Sequence, residues 1–277
     1  MIATVRDVVA ALEAAYPPAL AESWDAVGLV CGDPAEPVHR VVIAVDPVAE
    51  TVAEALEHDA QLLVTHHPLL LRGVHGVPAD DPKGGLVHRL VRAGVGLFCA
   101  HTNADAADPG VSDALAQVLG LRVTGVLDPR DGTSRTGLGR ICELPQPESL
   151  RAFTDRVRAA LPETVWGVRA GGDPRRTVTT VAVCGGAGDS LLGAASAAGV
   201  DVFVTADLRH HPVSEHLAAG GPALVDVAHW ASEHPWCEQA ATVLVGALGG
   251  TVDVYVSRRR TDPWTIGSAQ PPGRIPR

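Results

Sequence analysis

Histidines are the residues of this sequence best able to do chemistry. The chain has 12 of them, and most are concentrated in a few short stretches: His66, His67, His101, His210, His211, His216, His229 and His234. Successive strand residues point to opposite faces, so His66 and His67 can converge on one site only if the chain turns there, and Pro68 favours that turn. One imidazole for each of two neighbouring metal ions is a natural use of such a pair.

A second pattern places a carboxylate four residues after a histidine. His229 and Glu233 have this spacing in a segment that begins a predicted helix. Residues four apart on a helix share one face, so both side chains can chelate a common ion. His101 and Asp105 repeat the spacing in the first half of the chain.

Five residues are predicted to be metal ligands, and all follow the C-terminal ends of predicted parallel strands, where open α/β sheets place their ligand sites. They are His66, His67, Asp105, His229 and Glu233. Three imidazoles and two carboxylates suit a pair of divalent transition-metal ions that share a bridging carboxylate. This set of ligands suits Zn, Fe, Mn, Co and Ni. The sequence therefore identifies neither the metal nor the ligand that bridges the two ions.

His101 lies beside these ligands but is surplus to the five. We predict that it is the catalytic proton-transfer group, because imidazole titrates near neutral pH. The alternative is a structural role in which His101 hydrogen-bonds a ligand carboxylate.

The second His-His pair and a glycine-rich run give weaker evidence of a functional site. His210 and His211 have no carboxylate immediately beside them and either support the site or are a relic of a repeat. The glycine-rich run at 184–190 matches no nucleotide-binding pattern and is interpreted as a strand-to-helix turn.

The elements that must position these residues alternate between strand and helix patterns. Short runs rich in β-branched residues predict strands at 40–46, 61–65, 95–100, 179–184, 201–205, 223–228 and 251–257. Strands that are hydrophobic on both faces and separated by helices indicate an α/β fold with parallel sheets. Residues 41–68 align with 180–212 as strand, helix, strand and a His-His-Pro turn, which indicates two related halves.

These patterns divide the chain into four parts. We predict a first α/β half at 1–127, a connecting segment at 128–176, a second α/β half at 177–257 and a C-terminal tail at 258–277. The connecting segment contains one predicted strand (137–144) and one predicted helix (149–161). The tail is rich in proline and glycine, and we expect it to be solvated, with Trp264 as its one evident anchor.

Composition excludes several classes of protein. The 22 basic and 32 acidic residues give a net charge of −10, which repels phosphate backbones and argues against nucleic acid as a partner. The five cysteines are far apart in sequence, which argues against a disulfide framework or a thiolate zinc site. A run of 18 apolar residues and an N-terminal signal peptide are both missing from the sequence, so we expect a cytoplasmic protein without membrane association.

An ordered series of segments resembles the NIF-three-like proteins, also known as the GTP cyclohydrolase I type 2 family. The segments are ESWDAVGLVCGDP, VVIAVD, LLVTHHPLL, AHTNADAADPGVSDALA, CGGAGDS, TADLRHHP and DVAHWASE, and the resemblance runs from about residue 5 to residue 257. It implies a three-layer α/β/α protomer with a dinuclear metal centre, assembled as a toroidal homohexamer. The residues that match the family's ligands are the same five. Ala26 stands where family members often have Asn, so any role of that amide is lost.

Together these observations predict a dinuclear divalent-metal protein that acts as a metal-dependent hydrolase, a GTP cyclohydrolase I type 2 homolog, on a small polar or phosphorylated substrate. The alternative is a non-catalytic metal-binding hexamer that serves as a scaffold or regulatory protein. The substrate itself stays open, because a shared fold does not establish a shared reaction.

Overall fold

The computed structural model describes residues 2–130 and 135–267. Its strands are β1 (Gly28–Cys31), β2 (Arg40–Ala44), β3 (Leu62–Thr65), β4 (Gly96–Cys99), β5 (Arg122–Pro129), β6 (Gly137–Ser149), β7 (Val168–Gly171), β8 (Thr177–Ala187), β9 (Val202–Ala206), β10 (Ala223–Val227) and β11 (Asp253–Val256). Its α-helices are α1 (Val5–Ala15), α2 (Ala49–Glu57), α3 (Pro82–Arg92), α4 (Thr102–Ala106), α5 (Val111–Val118), α6 (Leu150–Ala160), α7 (Leu192–Ala197), α8 (His210–Ala218) and α9 (His229–Leu248).

Every predicted strand has a counterpart in the structure. The buried hydrophobic runs became β2, β3, β4, β8, β9, β10 and β11, and the strand and helix predicted in the connecting segment became β6 and α6. Sequence reasoning missed β1, β5 and β7. All three lie at sheet edges and are partly exposed, so they lack the continuous hydrophobic run that marks a buried parallel strand.

The strands form two mixed sheets. The first has the order β1-β4-β3-β2-β11 and is parallel except for β1, which pairs antiparallel with β4. The second has the order β5-β6-β8-β9-β10-β7, with β8, β9 and β10 parallel at its centre. The sheets do not follow the order of the predicted halves, because β11 pairs with β2 and β5 pairs with β6.

Helices cover both faces of each sheet. Side chains alternate along β2, so that Val41 and Ile43 join the core between the sheets, whereas Val42 and Ala44 face α2 and α3. Helices α1, α5 and α9 pack between the sheets, and α7 and α8 cover the outer face of the second sheet. This layering confirms the predicted α/β fold class, with an α/β/α arrangement around each of the two sheets.

The fold brings the C-terminal ends of strands from both sheets towards the start of α9. His66 and His67 directly follow β3, and His101 follows β4 by two residues. His229 begins α9 just after β10 of the second sheet. Among the described residues, no helix has both the length and the apolar character that a membrane span needs.

The first part of the tail departs from the expectation of a solvated end. Arg259 pairs with Glu57 at 2.7 Å and lies 3.3 Å from Glu54 on α2. The hydroxyl of Thr261 donates a hydrogen bond to Asp46. These polar contacts hold residues 259–261 against α2 and the loop that follows β2. A composition rich in proline and glycine gives no sign of them. Residues 268–277 of the predicted tail lie outside the described part of the chain.

Candidate metal centre

The His66–His67 pair lies where β3 ends. Both backbone amides still bond to the neighbouring strand segment, His66 to the carbonyl of Ala44 and His67 to that of Val45. The two rings nevertheless converge, with centroids 5.1 Å apart. The side chain of His66 is completely buried, whereas that of His67 is 23% exposed. One ring therefore lies inside the protein and the other at the wall of an opening.

Glu233 lies in the first turns of α9 and faces three imidazoles. Its Oε1 is 2.9 Å from Nε2 of His229, as the four-residue spacing predicts, and 3.5 Å from Nε2 of His66. Its Oε2 is 3.1 Å from Nε2 of His67. A carboxylate with one oxygen towards each side of a histidine cluster has the position of a bridging ligand.

Each of four imidazoles is held from behind by an acceptor that binds its Nδ1 atom. The pairs are His66 with the carbonyl of Ala100 at 2.9 Å, His67 with Asp46 at 2.7 Å, His101 with Asp25 at 2.8 Å and His229 with Asp207 at 2.6 Å. Carbonyl and carboxylate oxygens only accept hydrogen bonds, so every Nδ1 carries the hydrogen. Nε2 is therefore the atom that each ring can offer to a metal, and hydrogen bonds of this kind orient metal-ligating histidines.

Two buried atoms at the centre of the cluster lack a hydrogen-bond partner among the described residues: Nε2 of His66 and Oε2 of Glu233. In addition, Nε2 of His67 and Nε2 of His229 lie only 3.3 Å apart. Buried polar atoms without partners are costly unless something binds them. A divalent cation would bind all of them, so the residues present fit a metal ion.

Two overlapping groups of side chains are suited to hold such an ion. His66, His67 and His101 form one, and His67, His229 and Glu233 form the other. Within each group the ligand atoms lie within 4.8 Å of one another. The second group combines imidazole and carboxylate ligands from both sheets, because His67 follows β3 and α9 follows β10.

Asp105 and His101 lie at the same centre with different geometry. Asp105 is on α4, and its Oδ1 is 3.7 Å from Nε2 of His66, outside both groups. His101 belongs to the first group, with its ring centroid 5.3 Å from that of His66. Its position suits a ligand as well as the proton-transfer role predicted from the sequence.

The pair His210 and His211 is exposed at the start of α8 and belongs to neither group.

Electrostatics within the cluster follow from the burial of opposite charges. Burial opposes the ionised form of Glu233, but His67, His229 and His66 outweigh it and hold the pKa of this carboxyl well below its usual value. Burial also opposes the charged forms of His67 and His229. The nearby carboxylates outweigh it and raise the pKa of His67 to about 10 and that of His229 to about 11.

The pKa values of Asp105 and His101 shift in the direction that burial dictates. Burial raises the pKa of Asp105 to about 6. Burial, reinforced by the neighbouring His66, lowers the pKa of His101 to about 4, so that its imidazole is neutral at pH 7. A neutral imidazole with hydrogen on Nδ1 keeps a lone pair on Nε2, which both a metal ligand and a general base require.

Three aspartates of the site were missed by sequence reasoning: Asp25, Asp46 and Asp207. Each lies inside a segment that carried the family resemblance, in ESWDAVGLVCGDP, VVIAVD and TADLRHHP respectively. Asp207 also adopts a positive φ of 58°. The available signal was an aspartate in a loop next to a predicted ligand, but only the tertiary fold shows which imidazole each one meets.

Gly186 makes room for the centre. It belongs to the glycine-rich run interpreted as a plain turn, yet a Cβ atom at this position would lie 2.4 Å from Oε1 of Glu233 and 3.2 Å from Nε2 of His229. Its φ of +67° is also a conformation that favours glycine. The run therefore does more than reverse the chain, because its lack of a side chain shapes the site.

Substitution Gly186→Ala is expected to weaken metal binding at least about tenfold, since displaced ligands commonly cost 10–100-fold in affinity. The strained φ should also destabilise the fold by roughly 1–2 kcal/mol. Calorimetric titration with Zn²⁺ and a thermal melt measure the two effects. Gly193→Ala is the matched control, because a Cβ there has no atom within 4 Å. Equal metal affinity of the two variants would contradict the assignment.

The chain is similar to known proteins over nearly its whole length. The family Duf34/NIF3 (NGG1p interacting factor 3) matches residues 3–263. A Streptomyces coelicolor protein named GTP cyclohydrolase 1 type 2 homolog is 54% identical over 273 residues, which cover 97% of this chain and 96% of that protein. The crystal structure of a Staphylococcus aureus hypothetical protein is similar with a TM-score of 0.86 and 28% identity, covering 96% of this chain and 100% of that one.

A Bacillus cereus protein related to NIF3 has the same fold, with a TM-score of 0.86 at 23% identity over 96% of this chain and 99% of that one. The resemblance predicted from the sequence motifs is thus confirmed over nearly the whole chain. The chain belongs to the Duf34/NIF3 family.

Proposed function

We propose that this protein is a metal-dependent hydrolase that binds two divalent metal ions per chain and acts on a small polar substrate. The observation that carries the proposal is a set of four imidazoles whose Nδ1 atoms are each bound by an oxygen acceptor. Three of them, His66, His67 and His229, have Nε2 within 3.5 Å of a Glu233 oxygen. Two overlapping ligand groups that share His67 support a pair of ions rather than one.

Each residue of the centre would have a distinct role in hydrolysis. His66, His67, Asp105, His229 and Glu233 would hold the ions. Bound divalent ions, of which Zn, Fe, Mn, Co and Ni all suit these ligands, would supply Lewis acidity and acidify a water. His101, neutral and fixed by Asp25, holds or moves a proton during hydrolysis. Asp46 and Asp207 orient His67 and His229.

A screen of the metal-loaded protein against nucleotides, phosphoesters and cyclic amides tests the proposal. Turnover must exceed that of the free ions and must disappear with a chelator while the protein stays folded. A complete screen with no turnover above the free-ion background would contradict it.

A scaffold function is the second candidate, and one observation favours it. The second ligand group joins His67, which follows a strand of the first sheet, to His229, which follows a strand of the second. Metal there would tie the two sheets together. Under the scaffold function, chelation dissociates or unfolds the assembly, whereas under the hydrolase function it removes activity and leaves the assembly intact. Size-exclusion chromatography with and without chelator distinguishes the two.

The assembly itself is proposed to be a homohexamer, following the family resemblance and the half-exposed Val245 on the apolar last turns of α9. Light scattering of purified protein should return a mass several times that of the 28.7 kDa chain. A mass near that of one chain at micromolar concentration would contradict the proposal.

Metal affinity is expected to rise with pH. The raised pKa values of His67 and His229, about 10 and about 11, mean that both rings carry protons at pH 7 before metal binds. Metal must displace these protons, so apparent affinity increases by about one log unit per pH unit for each proton released. Titrations with Zn²⁺ at pH 6 and pH 8 in buffers of different ionisation enthalpy measure both quantities. Affinity that is constant across this range would contradict the expectation.

A further inference from the structure

A cleft opens beside the metal centre and is walled by tryptophans. It has a volume of about 380 Å³. His67 and His229 line one side of it, and Trp166, Trp230 and Trp264 line the others together with Asp262. Trp166 comes from the connecting segment and Trp264 from the tail, two parts of the chain to which the proposed hydrolase mechanism gives no role.

Polar contacts hold these walls in place. The indole nitrogen of Trp166 donates a hydrogen bond to Asp226 at 3.1 Å. The contacts of Arg259 with α2 and of Thr261 with Asp46 fix the segment that precedes Trp264. The rings of Trp166 and Trp264 then lie 6.1 Å apart. The cleft is thus a built feature of the fold.

Asp262 is the polar group of this cleft that lacks a partner. Its residue surface is only 7% exposed, and its Oδ2 atom has no hydrogen-bond partner among the described residues. The two other aspartates of the cleft already accept hydrogen bonds, Asp46 from His67 and Asp207 from His229. Burial raises the pKa of Asp262, and the positive charge of Arg260 only partly offsets this effect, so a further cation in the cleft would stabilise the ionised carboxylate.

The tryptophans suit a flat cation. An aromatic face attracts cations, and Trp166 already has the guanidinium carbon of Arg169 at 4.4 Å from its ring centroid. That guanidinium is paired with Asp226 at 2.7 Å. The ring of Trp264, by contrast, belongs to a residue that is 58% exposed, and it is two residues from Asp262 in sequence. A stacking surface and an acceptor for charged N–H groups therefore occur together.

We propose that this cleft binds a planar organic cation, an amidinium or a protonated nitrogen heterocycle, that stacks on Trp264 and pairs with Asp262. The inference deepens the proposed hydrolase function, since it assigns the chemical class of the substrate part that lies next to the metal centre. The carboxylate of Asp262, whose Oδ2 lacks a partner in the described part of the chain, would repel a phosphate at this position. A phosphorylated substrate would have to direct its phosphate elsewhere.

Benzamidine and benzamide test the proposal, because they have nearly the same shape and only benzamidine is charged at pH 7. Calorimetric titration of the full-length, metal-loaded protein should show benzamidine binding at least about tenfold more tightly, the effect expected for hydrogen bonds to charged groups. Asp262→Asn should remove this preference. Trp264→Leu should weaken the binding of both compounds. The exposed Asp80→Asn is the matched control and should change neither affinity.

Equal affinity for the two compounds would overturn the proposal, as would undetectable binding of benzamidine at millimolar concentration. An unchanged preference in Asp262→Asn would overturn it as well. Thermal melts show whether each variant is folded. If Asp262→Asn does not fold, the Trp264→Leu variant decides the test, and unchanged binding of both compounds by that variant would overturn the proposal. Neither compound needs to be hydrolysed, so this outcome is independent of whether the hydrolase screen succeeds.

Discussion

The Glu233→Gln variant is expected to bind at most one divalent ion per chain, whereas two are expected in the unsubstituted protein. The two oxygens of Glu233 face different imidazoles: Oε1 is 2.9 Å from Nε2 of His229, and Oε2 is 3.1 Å from Nε2 of His67. Glutamine keeps the shape but replaces one oxygen by an NH₂ group that cannot ligate a metal, and it removes the negative charge. Glutamine would therefore hold a pair of ions far less well than a carboxylate, which can offer an oxygen to each of two cations.

Elemental analysis after dialysis measures the stoichiometry directly. Glu238→Gln is the matched control, because Glu238 lies on the same helix with its side chain exposed. The control should keep two ions per chain. Two ions retained in Glu233→Gln, or a saturated value near one in the unsubstituted protein, would contradict the dinuclear assignment.

Local spacing explains why side chains that lie together at the candidate site could be picked out from the sequence. His229 and Glu233 meet because they are four residues apart at the start of α9, a relation set by helix geometry alone. The strand ends that present His66 and His229 could also be found, because parallel strands buried on both faces leave continuous hydrophobic runs. Both signals can be recognised from a few neighbouring residues, without knowledge of the rest of the fold.

The aspartates behind the imidazoles could not be assigned in the same way. Asp25 meets His101 from 76 positions away, and Asp207 meets His229 from 22 positions away. Whether a loop carboxylate reaches a given ring depends on how two sheets and their connections pack, which sequence spacing does not encode. The role of Gly186 is hidden for the same reason, since its crowded neighbour Glu233 is far along the chain.

Two strands pair outside the predicted part of the chain to which each belongs. β11 comes last among the strands but pairs with β2 in the first sheet, and β5 leaves the first half to pair with β6. An internal repeat predicts similar units but not which edge accepts a strand from the other unit. The return of β11 to the first sheet also carries the tail towards Asp46, which is how the tail comes to form part of the cleft.

The His101→Gln variant is expected to keep both metal ions and the oligomer while losing ~10²–10⁴-fold in turnover, the contribution typical of a general acid–base group. Asp25 accepts a hydrogen bond from Nδ1 of His101 at 2.8 Å, so the lone pair on Nε2 faces the site. The lowered pKa of His101, about 4, keeps that lone pair available at pH 7. Glutamine fills similar space but cannot take up a proton.

Metal content and hydrolysis must be measured on the same preparation, because His101 also belongs to a ligand group with His66 and His67. Loss of one ion per chain would show that His101 is a ligand instead. Retained metal with unchanged turnover would remove it from catalysis altogether. The exposed His75→Gln is the control for a lost imidazole elsewhere and should change neither quantity. Only full metal content together with slow turnover assigns proton transfer to His101, because a ligand would fail the first measurement and a bystander the second.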